Sequence, residues 1–180
     1  MNRPVENQAA FALSPETTAR IDRIVERYPT KASALMPCIW AITDELNHVP
    51  PGGVDFLVAK LEVTKARVYE VLSFYTMYRT EPQAEHVLQV CHNISCHIMG
   101  ARNVIAQMEK RLGIRMGETT PDGKFGLEGA ECLGACGHGP VVQLGKHLYE
   151  YLDTAKVDDL LENLRKGTVP RADTDRELEA

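Results

Sequence analysis

Apolar positions recur at helical spacing through the first half of the chain and gather into short strand-like runs in the second. Ile21, Ile24, Val25 and Tyr28 stand three, one and three residues apart, the repeat of one buried helix face. Ser14-Pro15-Glu16 precedes them, with a serine suited to cap the helix and a proline suited to its first position. Pro29 is expected to end it. A second helix is predicted from about Ala34 to Leu46, with Leu35, Ile39, Trp40 and Ile42 among its apolar residues. Pro37 would fall near its first turn, where a missing N–H is tolerated. Pro50-Pro51-Gly52-Gly53 reads as a breaker, and Val54 to Leu61 as a short helix. Thr64 is placed to cap a fourth, in which Val68, Val71, Leu72 and Tyr75 recur at i, i+3, i+4 and i+7. Four helices with short connections make a small bundle.

After Glu81-Pro82-Gln83 the pattern changes. His86 to Cys91 reads as a strand, and Gly100 to Leu112 as a helix closed by Gly113. Asp122-Gly123 signals a turn before a short strand near Lys124–Leu127. Residues 140–144 and 147–151 flank Gly145-Lys146 as the arms of a hairpin. Asp153 or Thr154 caps a last amphipathic helix through Leu160, Leu161 and Leu164, which Gly167 ends. Strand, helix, strand, hairpin, helix implies an open sheet with helices packed on it, an α+β or α/β class. The order matches a thioredoxin-like arrangement. The expected domains are a flexible arm (1–13), a helical bundle (14–80), a sheet domain (84–166) and a charged tail (167–180) expected to be disordered.

Composition narrows the function classes. Hydrophobic residues make up 44% of the 180 positions, enough to bury a core. A formal net charge of −5 and few aromatic residues argue against nucleic-acid binding. No apolar run approaches the roughly 20 residues needed to cross a bilayer, and the N-terminus lacks a signal peptide's apolar stretch. A cytoplasmic protein is expected, with membrane attachment only through a partner.

Five cysteines change the picture most. An odd count in a reducing compartment argues against a disulfide scaffold. Cys91 and Cys96 enclose four residues, and Cys132 and Cys136 enclose three. Two close pairs on two loops would give four thiolates, which suit iron–sulfur clusters and zinc. Structural zinc remains open, because both spacings lie within its range. A thioredoxin-type dithiol would need C-x-x-C, which is absent, and four unrelated buried thiols is the blandest alternative. A [2Fe–2S] cluster fits best, since two pairs map onto two irons. Gly134 and Gly137 would let backbone N–H groups approach the sulfurs, or simply shape a tight turn. His92, His97 and His138 flank the cysteines and could be outer groups or, in a Rieske-type site, ligands. Cys38 is expected to be a buried free thiol. No nucleophile–base pair, Gly-x-Gly-x-x-Gly fingerprint or P-loop stands out, so no nicotinamide or flavin site of its own is expected.

Several stretches together carry a family resemblance. They are Val68-Tyr69-Glu70-Val71, Ser73-Phe74-Tyr75-Thr76-Met77-Tyr78, the Cys91/Cys96 pair, Gly117 to Phe125, Glu131-Cys132-Leu133-Gly134-Ala135-Cys136 and Pro140-Val141. Over roughly residues 14–166 the chain resembles the [2Fe–2S] subunit (the E-type family) of bacterial NADH:quinone oxidoreductase, respiratory complex I. The resemblance implies a helical bundle followed by a thioredoxin-like [2Fe–2S] ferredoxin domain, with Cys91, Cys96, Cys132 and Cys136 as ligands. It implies an F-type flavoprotein partner carrying NADH, FMN and a [4Fe–4S] cluster, within a larger respiratory complex on the cytoplasmic side of the inner membrane. Such a cluster would exchange single electrons with FMN, off the main electron path, with no catalytic site on this chain. NAD-linked hydrogenases and formate dehydrogenases use relatives with the same ligand pattern, and a zinc-stabilised interaction module is the alternative of another class. Ile42-Thr43 departs from a more polar, acidic pair in relatives, and Gly137-His138-Gly139 from a less glycine-rich link. Neither departure removes a ligand.

Overall fold

The computed structural model describes residues 11–172. The chain divides after Gln83 into two compact units.

The first unit is helical. α1 (Pro15–Arg27) starts where the sequence placed it, with Ser14 Oγ accepting the Thr17 N–H at 3.1 Å. A 3₁₀ turn over Lys31–Ala34 leads directly into α2 (Leu35–Leu46). α2 buries Leu35, Cys38, Ile39, Ala41 and Ile42. α3 spans Pro51–Leu61, and α4 spans Lys65–Phe74 behind the cap Thr64. Ile21, Ile39, Ile42, Leu57, Leu61 and Val68 form the centre of the core. Each such side chain contributes about 1.5–3 kcal/mol on burial. Tyr78 closes one end, its hydroxyl donating to the Met36 carbonyl at 3.2 Å and its ring meeting Trp40 edge-on at 5.4 Å.

One expectation needs correcting. The stretch read as a breaker is largely helix, because Pro51 takes the first helical position and Gly52 and Gly53 make the first turn. Proline is favoured there for the same reason it stops a helix elsewhere, its lack of an N–H. A Cβ at Gly52 would collide with Phe11, so glycine is required by close approach rather than by a turn.

The second unit is a four-stranded sheet of order β2-β1-β3-β4 with helices packed on it. β1 (His86–Cys91) runs parallel to β2 (Phe125–Ala130), with His86 opposite Phe125 and Cys91 opposite Ala130. β3 (Val142–Leu144) lies antiparallel on the other side of β1 and pairs with β4 (His147–Tyr149). Between Cys91 and β2 come a short helix α5 (Ile94–Ile98), absent from the sequence reading, and α6 (Ala101–Leu112). α7 (Thr154–Arg165) follows the hairpin, capped by Asp153. Leu88, Val90, Leu127 and Leu144 share one core with Val104 and Met108 of α6 and Leu160, Leu161 and Leu164 of α7. The residues between them on the strands are polar: Gln89 pairs with Glu128 and with Gln143, and its amide donates to Glu128 at 3.2 Å. The strand alternation thus separates a helix-covered face from a polar one. This is the expected α+β, thioredoxin-like architecture.

Both segments expected as loose ends contribute packing where they are described. Phe11 stacks near Phe56 at 5.9 Å, the Tyr149 hydroxyl donates to the Pro170 carbonyl at 2.8 Å, and Ala172 is buried. The rest of the arm (1–10) and of the tail (173–180) lies outside the described residues.

Candidate metal centre

The parallel pairing of β1 and β2 decides where the cysteines gather. Parallel strands end on the same edge of a sheet, and crevices at their carboxyl ends are where open α/β sheets hold ligands. β1 ends at Cys91 and β2 at Ala130, two residues before Cys132. The edge continues as His92 N–H donates to the Ala130 carbonyl at 3.1 Å, and Cys91 N–H donates to Val141 at 3.0 Å. The chain then turns at Asn93, whose side-chain oxygen accepts the Ile94 N–H at 2.7 Å and opens α5. α5 carries Cys96 back beside Cys91. Both thiols are buried in a small cluster with Ala101 and Val141.

The second pair lies on an open loop. Cys132 and Cys136 are exposed, with their sulfurs 4.0 Å apart. Gly134 takes a positive φ of 81° between them, a backbone that favours glycine, and its N–H donates to Cys132 Sγ at 3.4 Å. Cys136 starts a 3₁₀ turn through His138. Gly139 then passes so close to the first loop that a Cβ there would sit 3.1 Å from Cys96 Sγ and 3.3 Å from Met99 Sδ. Open space surrounds a Cβ at Gly137. The N–H approach to sulfur expected at Gly134 is thus observed, while Gly139 brings its backbone close to the first loop.

The four thiols form one electrostatic group. Burial, then the hydrogen bond and charge of Cys91, push the Cys96 thiol up to about 11, and Cys136 adds to the effect. Cys136 is raised first by its hydrogen bond and charge coupling to Cys132, with Cys91 contributing; a hydrogen bond with the Ser95 side chain opposes this. The Cys96 and Cys136 thiolates are disfavoured by their neighbours, a situation a bound cation reverses. Ser95 joins the two loops and was not anticipated, because a lone serine in a polar loop carries no signal in sequence. Of the histidines, His138 Nδ1 lies 2.9 Å from Glu150 Oε2 and His92 Nε2 lies 3.9 Å from Glu131. His97 is exposed in α5. Cys38 is fully buried in the first unit, as expected.

Two thiolates on one tetrahedral metal with bonds of about 2.3 Å stand about 3.8 Å apart. The Cys132–Cys136 separation of 4.0 Å matches that value. Among the described residues, no three His, Cys, Asp or Glu side chains converge as they would around a single ion. Two pairs of thiols suit a group with two metal atoms, each taking two thiolates.

Comparison with known proteins agrees with this chemistry. The family model of the thioredoxin-like [2Fe–2S] ferredoxin matches residues 21–165. The E-type subunit 2 of NADH-quinone oxidoreductase from Rhizobium meliloti (strain 1021) is 42% identical over 145 residues, covering 81% of this chain and 86% of that protein. The E-type subunit of NADH-quinone oxidoreductase from Rickettsia prowazekii (strain Madrid E) is 35% identical over 170 residues, covering 90% and 93%. An NAD⁺-reducing [NiFe]-hydrogenase in the air-oxidized state superposes with a TM-score of 0.63 at 18% identity, over 76% of this chain but only 23% of that one, a likeness of fold. With the family model spanning both units and a relative of 42% identity covering most of its length, the chain belongs to the thioredoxin-like [2Fe–2S] ferredoxin family.

Proposed function

We propose that this chain is the electron-transfer subunit of a multi-subunit NADH dehydrogenase, and that Cys91, Cys96, Cys132 and Cys136 hold one [2Fe–2S] cluster. The observation that carries the reading is the meeting of two cysteine pairs at one sheet edge, one pair buried and one exposed. When bound, the cluster supplies a site that takes up and returns one electron at a time. Cys91 and Cys96 anchor it against the core, where burial excludes water. Gly134 N–H donates to Cys132 Sγ and stabilises negative charge there. Cys132 and Cys136, being exposed, leave that side open to a redox partner.

The partner is a flavoprotein of the type that binds NADH, FMN and a [4Fe–4S] cluster, and single electrons pass between its FMN and this chain. The names of the two relatives described above, both from NADH-quinone oxidoreductase, support this assignment over a hydrogenase or formate dehydrogenase. Residues 84–166 form the cluster domain and residues 14–80 a separate helical unit. Among the described residues no helix is long and apolar enough to cross a membrane. Attachment at the cytoplasmic face of the inner membrane would come through the complex.

Anaerobically purified protein should carry iron and acid-labile sulfide in equal amounts, two of each per chain in this reading, and give a paramagnetic resonance signal on reduction. The isolated chain should not reduce acceptors with NADH. Colourless protein with one zinc, or NADH oxidation by the isolated chain, would sink this function.

A further inference from the structure

The glycine-rich link after Cys136 is held from outside by a group of residues that no cysteine motif includes. His138 is the last residue of the 3₁₀ turn that Cys136 begins. Its Nδ1 lies 2.9 Å from Glu150 Oε2, and the Glu150 side chain is 12% exposed. A carboxylate only accepts, so this contact places the shared proton on Nδ1 and sets the direction of the ring. The His138 ring also lies against Tyr151, with centroids 5.3 Å apart and planes 37° from parallel.

The backbone repeats the connection. Tyr151 N–H donates to the His138 carbonyl at 2.8 Å, and Leu152 N–H donates to the Pro140 carbonyl at 3.1 Å. Tyr151 itself holds φ at 49°, a left-handed backbone that a bulky residue adopts only where its surroundings impose it. Lys156 Nζ donates to the Tyr151 carbonyl at 3.0 Å and ties this corner to α7. The segment from Glu150 to Leu152 thus acts as a frame standing behind the Cys136 loop. Gly137 and Gly139 give that loop little stiffness of its own.

We propose that Glu150, acting through His138, is a positioning residue for the cluster: it fixes the Cys136 turn, and with it the sulfur and the backbone N–H groups around it. Outer partners of this kind orient ligands and tune the group they hold. The inference rests on the four-cysteine reading given above.

The test uses the full chain, purified with its cluster, as wild type, Glu150→Ala, Glu150→Gln, His138→Ala and the double Glu150→Ala/His138→Ala variant. Three readouts are taken: the resonance spectrum of the reduced protein, the midpoint potential from an optical redox titration, and the rate of iron loss to bathophenanthroline disulfonate. Glu150→Ala should retain four cysteines and load a cluster, yet lose iron about 10-fold faster or more, with altered resonance values and a shifted potential. Glu150→Gln keeps an acceptor for Nδ1–H and should restore all three towards wild type. The double variant should be no worse than His138→Ala alone, as expected of two residues in one chain of action. Variants matching wild type in spectrum and potential would overturn the proposal while leaving the cluster reading intact. So would additive effects in the double variant, or faster iron loss with spectrum and potential unchanged, which is what a merely structural role gives. A wild-type chain without a [2Fe–2S] signal overturns both readings together.

Discussion

Gly139 has a φ of −65° and a ψ of 160°, values that alanine adopts freely. Gly139→Ala therefore introduces no backbone strain and probes packing alone. The new Cβ would lie 3.1 Å from Cys96 Sγ, 3.3 Å from Cys96 Cα and 3.3 Å from Met99 Sδ. Ordinary contact between such atoms is about 3.5–4.0 Å, so three neighbours must each give by some tenths of an ångström. Two of them belong to the cysteine that the first loop contributes, and Cα cannot move without the backbone of α5. Overpacking of this kind costs about 1–3 kcal/mol. Loss of glycine freedom in the unfolded chain returns about 0.4–1 kcal/mol. At about 1.4 kcal/mol per factor of ten, the remaining strain, if concentrated between the two loops, weakens cluster retention by up to about 70-fold. Gly137→Ala is the matched control, since nothing lies within 4 Å of its Cβ. It should be neutral or slightly stabilising. The assay is iron and sulfide content after purification, followed by iron loss to a chelator and thermal unfolding of each variant. If the two variants behave alike, the loops do not meet at Gly139 and the geometry of the site is wrong.

Other outcomes follow from the same structure. Cys132→Ser should abolish or severely alter the reduced resonance signal, because it removes one of four thiolates and leaves Gly134 N–H facing a harder donor; Cys38→Ser should leave that signal unchanged. Burial pushes the Cys38 thiol up to about 11 from 9.0, so it should resist alkylation at pH 8 until the protein unfolds. A folded value above the unfolded one stabilises below pH 9 and loses that contribution as pH rises through 11. Thermal unfolding of wild type against Cys38→Ala over that range should show the difference. Ser14→Ala should destabilise the first unit by about 1 kcal/mol in denaturant titrations, through loss of the helix cap. Glu45 accepts hydrogen bonds from Thr17 and Ser14, which hold its carboxyl below 4.5. Its contribution is therefore present above pH 4.5 and lost as pH falls through the lowered value, so Glu45→Gln should flatten the acid side of the stability profile.

Much of the fold was legible along the chain. Ser14, Thr64 and Asp153 cap α1, α4 and α7 as read, because an N-cap is satisfied within three residues and needs no distant partner. The strand over residues 86–91 and the hairpin flanking Gly145-Lys146 were equally local. α5 was not legible: five residues are too few for a periodic apolar face, and Ile94 and Ile98 are exposed. Gly52 and Gly53 suggest a break because glycine usually weakens a helix, whereas here close approach by Phe11 accounts for Gly52.

The same division holds at the cysteines. Spacing alone, read without partners, determined that Cys91, Cys96, Cys132 and Cys136 come as two pairs suited to a two-iron group. It could not determine that one pair is buried and the other exposed. That depends on β1 ending inside the sheet edge while the loop after β2 runs over the surface. Nor could it reveal Gly139 against Cys96, Ser95 beside Cys136, or Glu150 behind His138, for these contacts join residues 12 to 43 positions apart. Thiol chemistry is a property of residue type and local spacing, and sequence carries both. Which thiol is shielded, and what holds its loop still, is decided by packing between distant segments, and only the folded chain brings those together.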